Sequence, residues 1–363
     1  MREKDKKTHL LHPLVKRVSL VSTLETKRLT MATTATETKR GLAVVTGANS
    51  GVGYEAARKL AAECGFERVL LVCRNPEKAA EAQRKLGEAT GQPGTFSTLT
   101  CDVSSLQSAR EAAKKIQDQG RKVDFLLLNA GMLASSTGEK TQEGLDLMMA
   151  TSLLGHHVMT LELLKADCLA SGARVVLAGS GGATYEVGLN RLDYDKMFTL
   201  ERYANDATAA MDDIAHNNAP WKELGVDDAL SIYANVKVWC AWWAQAMAQR
   251  YKSAMFFCVD PGWVPSSQLG RNAGFGVRAG LCILKYIGSA FGLSHSADVG
   301  AQRYLEALDF PESENGSFWV SPEGRWSGTM KASTPSRLPW IHNADLSEKG
   351  WAAVVRATEI GAK

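Results

Sequence analysis

Tyr233 and Lys237 lie four residues apart in the stretch "SIYANVKVW" (231–239). Positions i and i+4 share one face of a helix, so this phenol and this ammonium can point at the same reactant. A nearby cation favours the phenolate and lowers the pKa of a tyrosine from its ordinary value of about 10. The spacing predicts a general acid or base. The same spacing also occurs in ordinary amphipathic helices, so the rest of the chain must decide.

A glycine-rich turn, "TGANSGVG" (46–53), follows an apolar run at 42–45 and precedes helical spacing at 54–65. Glycine lets the backbone turn sharply and approach a pyrophosphate, whose charge is stabilised at a helix N-terminus. Between a strand and a helix, such a turn is typical of a dinucleotide site. The predicted contacts here are Gly47, Ser50, Gly51, Val52 and Gly53.

Short apolar runs alternate with helical patterns along the chain, which indicates parallel βαβ units. We therefore expect an α/β fold, a single doubly wound Rossmann-type domain with a parallel sheet of about seven strands. The predicted strands lie at 42–45, 68–74, 96–103, 123–131, 173–180, 254–262 and near 317–320.

Two segments depart from this rhythm. The 52 residues of 181–232, between Ser180 and Tyr233, are far longer than a crossover requires and are rich in aromatic residues, so we expect a lid-like insertion. Residues 1–40 hold ten Lys/Arg against four Asp/Glu. We interpret 1–40 as a disordered leader or targeting extension and 41–363 as the folded domain.

The net charge is only +3, and basic runs with interleaved aromatics are absent, so no nucleic-acid partner is expected. The seven cysteines and seven histidines show no metal-ligand spacing, and no metal is expected. No membrane-spanning helix is expected either. The nearest stretch, 277–293, is interrupted by Arg278 and Lys285. It fits a substrate-side helix, with peripheral membrane contact as the alternative.

The TGxxxGxG turn resembles the short-chain dehydrogenase/reductase family, and the resemblance extends over about 42–265. "CDV" (101–103), "NAG" (129–131) and "DPGWV" (260–264) match the motifs of that family in order and spacing. The resemblance implies cofactor contacts at Asp102, Val103, Asn129, Ala130, Gly131, Pro261, Gly262 and Val264, besides Tyr233 and Lys237.

The residue that ends the second predicted strand indicates the cofactor. An acidic residue there would bind the adenosine 2′-hydroxyl of NAD, whereas this chain has "VCRN" with Arg74 followed by Asn75. Arginine can form a charge-assisted contact with a 2′-phosphate. We therefore expect NADPH, with Arg74 and Asn75 beside the phosphate.

The same resemblance implies a catalytic set of Ser180, Tyr233 and Lys237. Ser180 ends a predicted strand in "VVLAGSGG", where its hydroxyl would polarise or orient a substrate. Its alternative role is a turn hydroxyl that bonds to its own backbone. Ser152, in "SLLGH", stands where relatives often have an asparagine that supports a proton-relay water. The resemblance thus implies an altered relay.

Within the family, the long insertion and "NGSFWVSPEGRWSG" (315–328) resemble the light-dependent protochlorophyllide reductases. That branch implies plastid chlorophyll biosynthesis and reduction of one C=C bond of a tetrapyrrole. Trp263 stands where those enzymes have a cysteine. We expect Trp263 and Trp239 to line the pocket of a bulky hydrophobic substrate.

Two alternatives remain open. A retinal-type carbonyl reductase, with a cytoplasmic location, would use the same Ser–Tyr–Lys set on a C=O bond. A non-catalytic NADPH-binding sensor or scaffold would have no need of the Tyr–Lys pair. A homo-oligomer is a further expectation.

Overall fold

The computed structural model describes residues 40–134, 136–186, 188–265, 294–325 and 327–360. The predicted leader, apart from Arg40, and the stretch 277–293 lie outside the described residues. The described part belongs to one compact unit, Arg40–Lys363.

The described residues form one eight-stranded sheet in the order β3-β2-β1-β4-β5-β6-β7-β8. The first seven strands pair in parallel, and only β7 and β8 are antiparallel. The strands are β1 (Arg40–Thr46), β2 (Phe66–Cys73), β3 (Phe96–Thr100), β4 (Val123–Leu128), β5 (Leu169–Ala178), β6 (Ala254–Val259), β7 (Phe318–Val320) and β8 (Lys331–Ala332). The doubly wound parallel sheet is confirmed, and the sequence missed the two-residue edge strand β8.

Helices cover both faces of the sheet. They are α1 (Gly51–Ala62), α2 (Pro76–Thr90), α3 (Leu106–Gln117), α4 (Leu147–Lys165), α5 (Tyr194–Phe198), α6 (Ala207–Ala215), α7 (Ala229–Arg250), α8 (Ala297–Leu305) and α9 (Ala344–Ile360). Within β1, Leu42 and Val44 join the core beneath α3, α4, α7 and α9, and Ala43 and Val45 join the core beneath α1, α2 and α8. Both faces of the strand are thus buried, which explains its continuous apolar run.

The insertion 181–232 is folded onto the body. Its aromatics Tyr194, Tyr203 and Trp221 are at most 8% exposed and belong to the core. Asp212 in α6 accepts two guanidinium hydrogen bonds from Arg356 in α9, at 3.0 and 2.8 Å. The aromatic content therefore reflects packing against the domain, and lid motion stays a prediction.

Among the described residues, helix α4 is long and apolar enough to cross a membrane by length and composition alone. In the fold, 72% of its apolar window is buried. That burial is typical of the core helix of a globular domain.

Gly155 in α4 approaches the chain after β3 so closely that a side chain cannot fit. A methyl group built on it would lie 1.8 Å from the Val103 carbonyl oxygen. We expect Gly155→Ala to destabilise the fold by roughly 3 kcal/mol or more, because rigid backbone must move. Thermal unfolding measures this. Gly94→Ala is the control, since nothing lies within 4 Å of that position; equal unfolding temperatures for both variants would contradict the packing.

Asp146 caps α4 while buried. Its Oδ1 accepts the Met149 amide at 2.6 Å, and burial raises the pKa of its carboxyl from 3.8 to about 6. A raised folded-state pKa means that the stability contribution is full below pH 3.8 and is lost as the pH rises through about 6. Asn keeps the cap without ionising.

We therefore expect Asp146→Asn to gain stability relative to the wild type as the pH rises from acidic to neutral, on the order of 2–3 kcal/mol. Urea unfolding at a series of pH values measures the difference. Asp206→Asn, at the exposed N-cap of α6, is the matched control. If the difference in unfolding free energy between the wild type and Asp146→Asn does not change with pH, the raised pKa of the Asp146 carboxyl is refuted.

Candidate active site

Tyr233 and Lys237 occupy the first turns of α7 and are almost completely buried, at 8% and 2% exposure. Lys237 Nζ lies 5.4 Å from the centre of the Tyr233 ring. Nζ also donates a 2.7 Å hydrogen bond to the carbonyl oxygen of Ala178, the last residue of β5. The helix and the central strand therefore fix the ammonium beside the phenol.

The turn after β4 and α4 bring two further predicted residues to this point. A methyl group built on Gly131 would lie 3.6 Å from Ser152 Oγ and 3.9 Å from Lys237 Nζ. Ser152 is fully buried, and its hydroxyl has no hydrogen-bond partner among the described residues. A buried hydroxyl of this kind can bind a water. Residues from three separate segments thus converge around Lys237 Nζ.

The ionisation of the pair depends on burial and on neighbouring charges. Burial raises the pKa of the Tyr233 phenol, and the opposing effect of Lys237 does not overcome it. Burial is the largest single influence on the Lys237 pKa and would lower it, but Tyr233, Cys240 and Cys258 together outweigh burial and the net direction is upward. The lowering of the Tyr233 pKa that we expect from Lys237 together with an oxidised nicotinamide stays a prediction. In the protein alone the pKa is raised, because desolvation penalises the phenolate more than Lys237 favours it. Tyr233 is consequently protonated at neutral pH and suited to donate.

Ser180 follows β5, and its hydroxyl accepts the Gly182 amide at 3.1 Å, which caps a short 3₁₀ turn at Gly181–Thr184. The turn role that the sequence left as an alternative is therefore present. The residue is only partly buried. Gly182 lies between Ser180 and Ala234, since a methyl group built on it would be 3.4 Å from Ser180 Oγ and 3.7 Å from Ala234 Cβ. Ser180 thus sits beside the start of α7.

The glycine turn has the geometry that close approach of a ligand requires. Gly47 and Gly51 have positive φ angles of 66° and 59°. A methyl group on Gly53 would lie 2.6 Å from the Gly47 carbonyl oxygen, so no larger residue fits. Ser50 is the N-cap of α1 but makes no side-chain capping bond, and Val52 is buried in the first turn. The first amides of α1 are thus not satisfied by a cap and can bind an anion.

Arg74 and Asp102 lie together at the carboxyl ends of β2 and β3. Arg74 Nη1 is 3.8 Å from Asp102 Oδ2, and both side chains are exposed, at 63% and 38%. Asp102 Oδ1 accepts the Ser104 amide and hydroxyl. Asn75 uses its side chain to cap α2, accepting the Lys78 amide at 2.7 Å. Arg74 therefore remains available to a phosphate, whereas the Asn75 carbonyl oxygen is already used.

The "NAG" turn is tied to β1 by hydrogen bonds. Asn129 Nδ2 donates to the Thr46 carbonyl oxygen at 2.9 Å, and the Ala130 amide donates to Thr46 Oγ1 at 3.0 Å. The Thr46 hydroxyl also lies 3.0 Å from Nε2 of the buried His156. The sequence missed Thr46 and His156. These hydrogen bonds of Thr46 and His156 can be identified only in the folded structure, where β1, β4 and α4 are adjacent.

The Pro261–Gly262 turn follows β6. Gly262 has a φ of 75°, and its amide donates to Asp260 Oδ1 at 2.9 Å. The next residue, Trp263, is partly exposed, and its carbonyl oxygen accepts the His295 amide. Val264 packs against Gly300 of α8. The turn is therefore held by α8 and by its own aspartate.

Trp239 lies in the buried core. It is 1% exposed, and its ring N–H donates to the Tyr194 hydroxyl at 2.9 Å. Trp242 and Trp243 are equally buried and donate to the Trp340 carbonyl oxygen and to His157 Nδ1. The substrate role predicted for Trp239 stays a prediction, and in the structure the insertion covers this residue through Tyr194. Within the described ranges, no group of three His, Cys, Asp or Glu is placed to hold a metal ion.

A family model for short chain dehydrogenase matches residues 41–191. Among curated relatives, the chloroplastic protochlorophyllide reductase of Chlamydomonas reinhardtii is 32% identical over 66% of this chain and 59% of its own length. The WW domain-containing oxidoreductase of Drosophila melanogaster is 30% identical over 64% of this chain and 51% of its own length. The chain therefore spans only about half to three fifths of these relatives.

Two solved structures share the fold. Salutaridine reductase from Papaver somniferum superposes with a TM-score of 0.55 at 19% identity, covering 77% of this chain and 99% of that one. A short chain dehydrogenase from Burkholderia cenocepacia in complex with NADP gives 0.53 at 20% identity, covering 79% and 97%. With the family match over 41–191 and the Rossmann-type sheet, the chain resembles the short-chain dehydrogenase/reductase family, and its curated relatives include members of the protochlorophyllide reductase branch.

Proposed function

We propose that the protein is an NADPH-dependent reductase of a bulky hydrophobic molecule. The observation that supports this most directly is the convergence of Tyr233, Lys237, Ser152 and Gly131 at one end of the parallel sheet. Ligands of open α/β sheets bind outside the carboxyl ends of the strands. A protein that only bound the cofactor would have no need for a buried phenol beside a buried ammonium, which argues against a sensor or scaffold.

The residues at the predicted cofactor contacts fit NADPH. The uncapped first turn of α1 can bind the pyrophosphate, and Gly131, which lies beside Lys237, would contact the ribose. Arg74 would pair with the 2′-phosphate, displacing its weak contact with Asp102. The Pro261–Gly262 turn and Val264 would lie along the nicotinamide. When bound, the cofactor supplies the hydride.

The protein supplies the proton. Tyr233 carries it at neutral pH because burial raises the pKa of its phenol. Lys237 stabilises the phenolate as the proton leaves, and its hydrogen bond to the Ala178 carbonyl oxygen keeps the ammonium in place. Ser180 would orient the substrate group. Ser152, with its free buried hydroxyl beside Lys237, would hold a water from which Tyr233 is reprotonated.

The proposed substrate is a tetrapyrrole reduced at one C=C bond, as the relation to protochlorophyllide reductases suggests. The chloroplastic name of the relative from Chlamydomonas reinhardtii supports a plastid location. The second candidate is reduction of a C=O bond, as in a retinal-type reductase. Trp263 favours it, because an indole beside the Pro–Gly turn replaces a smaller thiol and changes the volume available to a planar macrocycle.

Illumination separates the two candidates. Protein, NADPH and protochlorophyllide are mixed in the dark, and absorption spectra are recorded before and after light. Conversion of bound pigment only in light supports the tetrapyrrole reaction. No pigment binding, together with NADPH oxidation by retinal in the dark, supports the carbonyl reaction. Activity on neither class would contradict the proposed function.

Replacing the proton donor tests the catalytic assignment. We expect Tyr233→Phe to lower kcat by roughly 10²- to 10⁴-fold, because general acid catalysis is lost. The dissociation constant of NADPH, measured by its fluorescence, should stay within about threefold, since a phenyl ring fills nearly the same volume. Tyr251→Phe, immediately after the other end of α7, is the matched control. Wild-type turnover by Tyr233→Phe would refute the assignment.

Reversing the charge at Arg74 tests the choice of cofactor. Arg74→Asp should reduce the NADPH/NADH ratio of kcat/KM by about tenfold or more, because one charge-assisted contact becomes a repulsion. Arg68→Asp, on the strand β2 that Arg74 directly follows and also exposed, is the control and should leave the ratio unchanged. If Arg74→Asp and Arg68→Asp give the same ratio, Arg74 does not bind the 2′-phosphate.

A further inference from the structure

A buried ion pair lies behind the Pro261–Gly262 turn. Asp260, directly after β6, and Arg303 in α8 are 2% and 3% exposed. Arg303 Nη2 is 3.7 Å from Asp260 Oδ2 and donates to Ser321 Oγ at 2.9 Å. Removing two charges from water is costly, and such pairs often stabilise a fold less than apolar residues would. Stability alone therefore gives little reason for this pair.

The Asp260 carboxylate touches both turns of the proposed active site. Its Oδ1 accepts the Gly262 amide at 2.9 Å and so shapes the turn expected along the nicotinamide. Its Oδ2 faces the turn that begins at Ser180, since a methyl group on Gly181 would lie 3.5 Å from it. A single carboxylate thus lies between the turn that would hold the hydride donor and the turn that would hold the substrate.

Arg303 also packs against Gly262. A methyl group on Gly262 would lie 2.5 Å from Arg303 Nη1 and 2.3 Å from His295 Cδ2, so the guanidinium packs directly against the turn. Among the described residues, Arg303 Nε and Nη1 have no hydrogen-bond partner. The orientation of the guanidinium therefore depends on Asp260, Ser321 and close packing.

The pair also lies within electrostatic range of Tyr233. The charge of Asp260 contributes to the raised pKa of the Tyr233 phenol. The other titratable groups around the phenol and the carboxylate are Lys237 and Cys240 from α7, Cys258 from β6, and His295, Arg303 and Tyr304 from the segment that includes α8. Only Lys237 and Arg303 in this set are strong bases, so Arg303 is the cation that balances Asp260.

We propose that Asp260 and Arg303 form a positioning pair for the reaction: they hold the Ser180 and Pro261–Gly262 turns in register and balance the Asp260 charge near Tyr233. The pair acts through these turns and through Tyr233, without contacting the reacting atoms itself. This inference rests on the proposed NADPH-dependent reduction.

The pH dependence of kcat/KM tests the pair, using protochlorophyllide in light or retinal in the dark, whichever the wild type converts. In the direction of reduction, kcat/KM falls on the alkaline side as Tyr233 loses its proton. Asp260→Asn keeps an acceptor for the Gly262 amide but removes the negative charge, so this alkaline limb should move to lower pH. Arg303→Gln leaves Asp260 unbalanced, so the limb should move to higher pH, with kcat/KM reduced roughly tenfold to a hundredfold.

Two further variants separate charge from packing. Arg303→Lys keeps the cation and should return the alkaline limb to its wild-type position. In the double variant Asp260→Asn/Arg303→Gln, the pH of the alkaline limb should be closer to the wild-type value than it is in either single variant. Arg250→Gln is the matched control. It removes an arginine of another ion pair, with Glu348, on the same helix as Tyr233 but about 25 Å along it.

An alkaline limb that stays fixed in both Asp260→Asn and Arg303→Gln would overturn the proposal, even if activity falls. Should Arg303→Gln fail to fold, Asp260→Asn decides alone. If the wild type converts neither probe, the proposed function fails, and the pair is then judged on NADPH binding by fluorescence. In that case an unchanged dissociation constant in Arg303→Gln would overturn the positioning role.

Discussion

The position of Lys237 is the constraint on which the candidate site depends. An ammonium that is 2% exposed needs compensation for its lost hydration, and here the Ala178 carbonyl oxygen provides it at 2.7 Å. Ala178 ends β5, the strand between β4 and β6. The hydrogen bond therefore fixes α7 against the middle of the sheet at the edge where the Gly131, Ser180 and Pro261–Gly262 turns emerge. Because Tyr233 lies one helical turn before Lys237, the same hydrogen bond also fixes the position of Tyr233.

The fold was largely predictable from the sequence because its strands are buried on both faces. The continuous apolar run of β1 and the glycine turn after it indicated a parallel sheet and a dinucleotide site, and the structure confirms the sheet. The sequence did not predict the short strand β8, since two residues carry no periodic signal. The surroundings of Trp239 were not predicted either. Its burial depends on the insertion and on α9, which lie far from it in sequence.

The candidate site was predictable only where the residues form local motifs. Tyr233 and Lys237 share a helix face, and the glycine turn is contiguous, so spacing revealed both. Asp260 and Arg303 are 43 positions apart, and no local pattern links them. The direction of the Tyr233 pKa could not be read from the sequence either. It depends on how deeply the insertion and α7 bury the phenol, and burial outweighs the neighbouring ammonium.

The insertion and the C-terminal segment together determine how the Ser180 turn can respond to a substrate. Trp340 donates its ring N–H to the Ala183 carbonyl oxygen at 3.0 Å, and Arg337 forms two 2.9 Å hydrogen bonds with Glu186, just after the turn. Arg337 also donates to the carbonyl oxygen of Ser321, whose hydroxyl contacts Arg303. The Ser180 turn is thus connected, through Glu186, Arg337 and Ser321, to the ion pair behind the Pro–Gly turn. Displacement of the C-terminal segment would therefore disturb both turns together. The proposed reduction of a bulky molecule accordingly requires an entry route that keeps the Glu186–Arg337 contact.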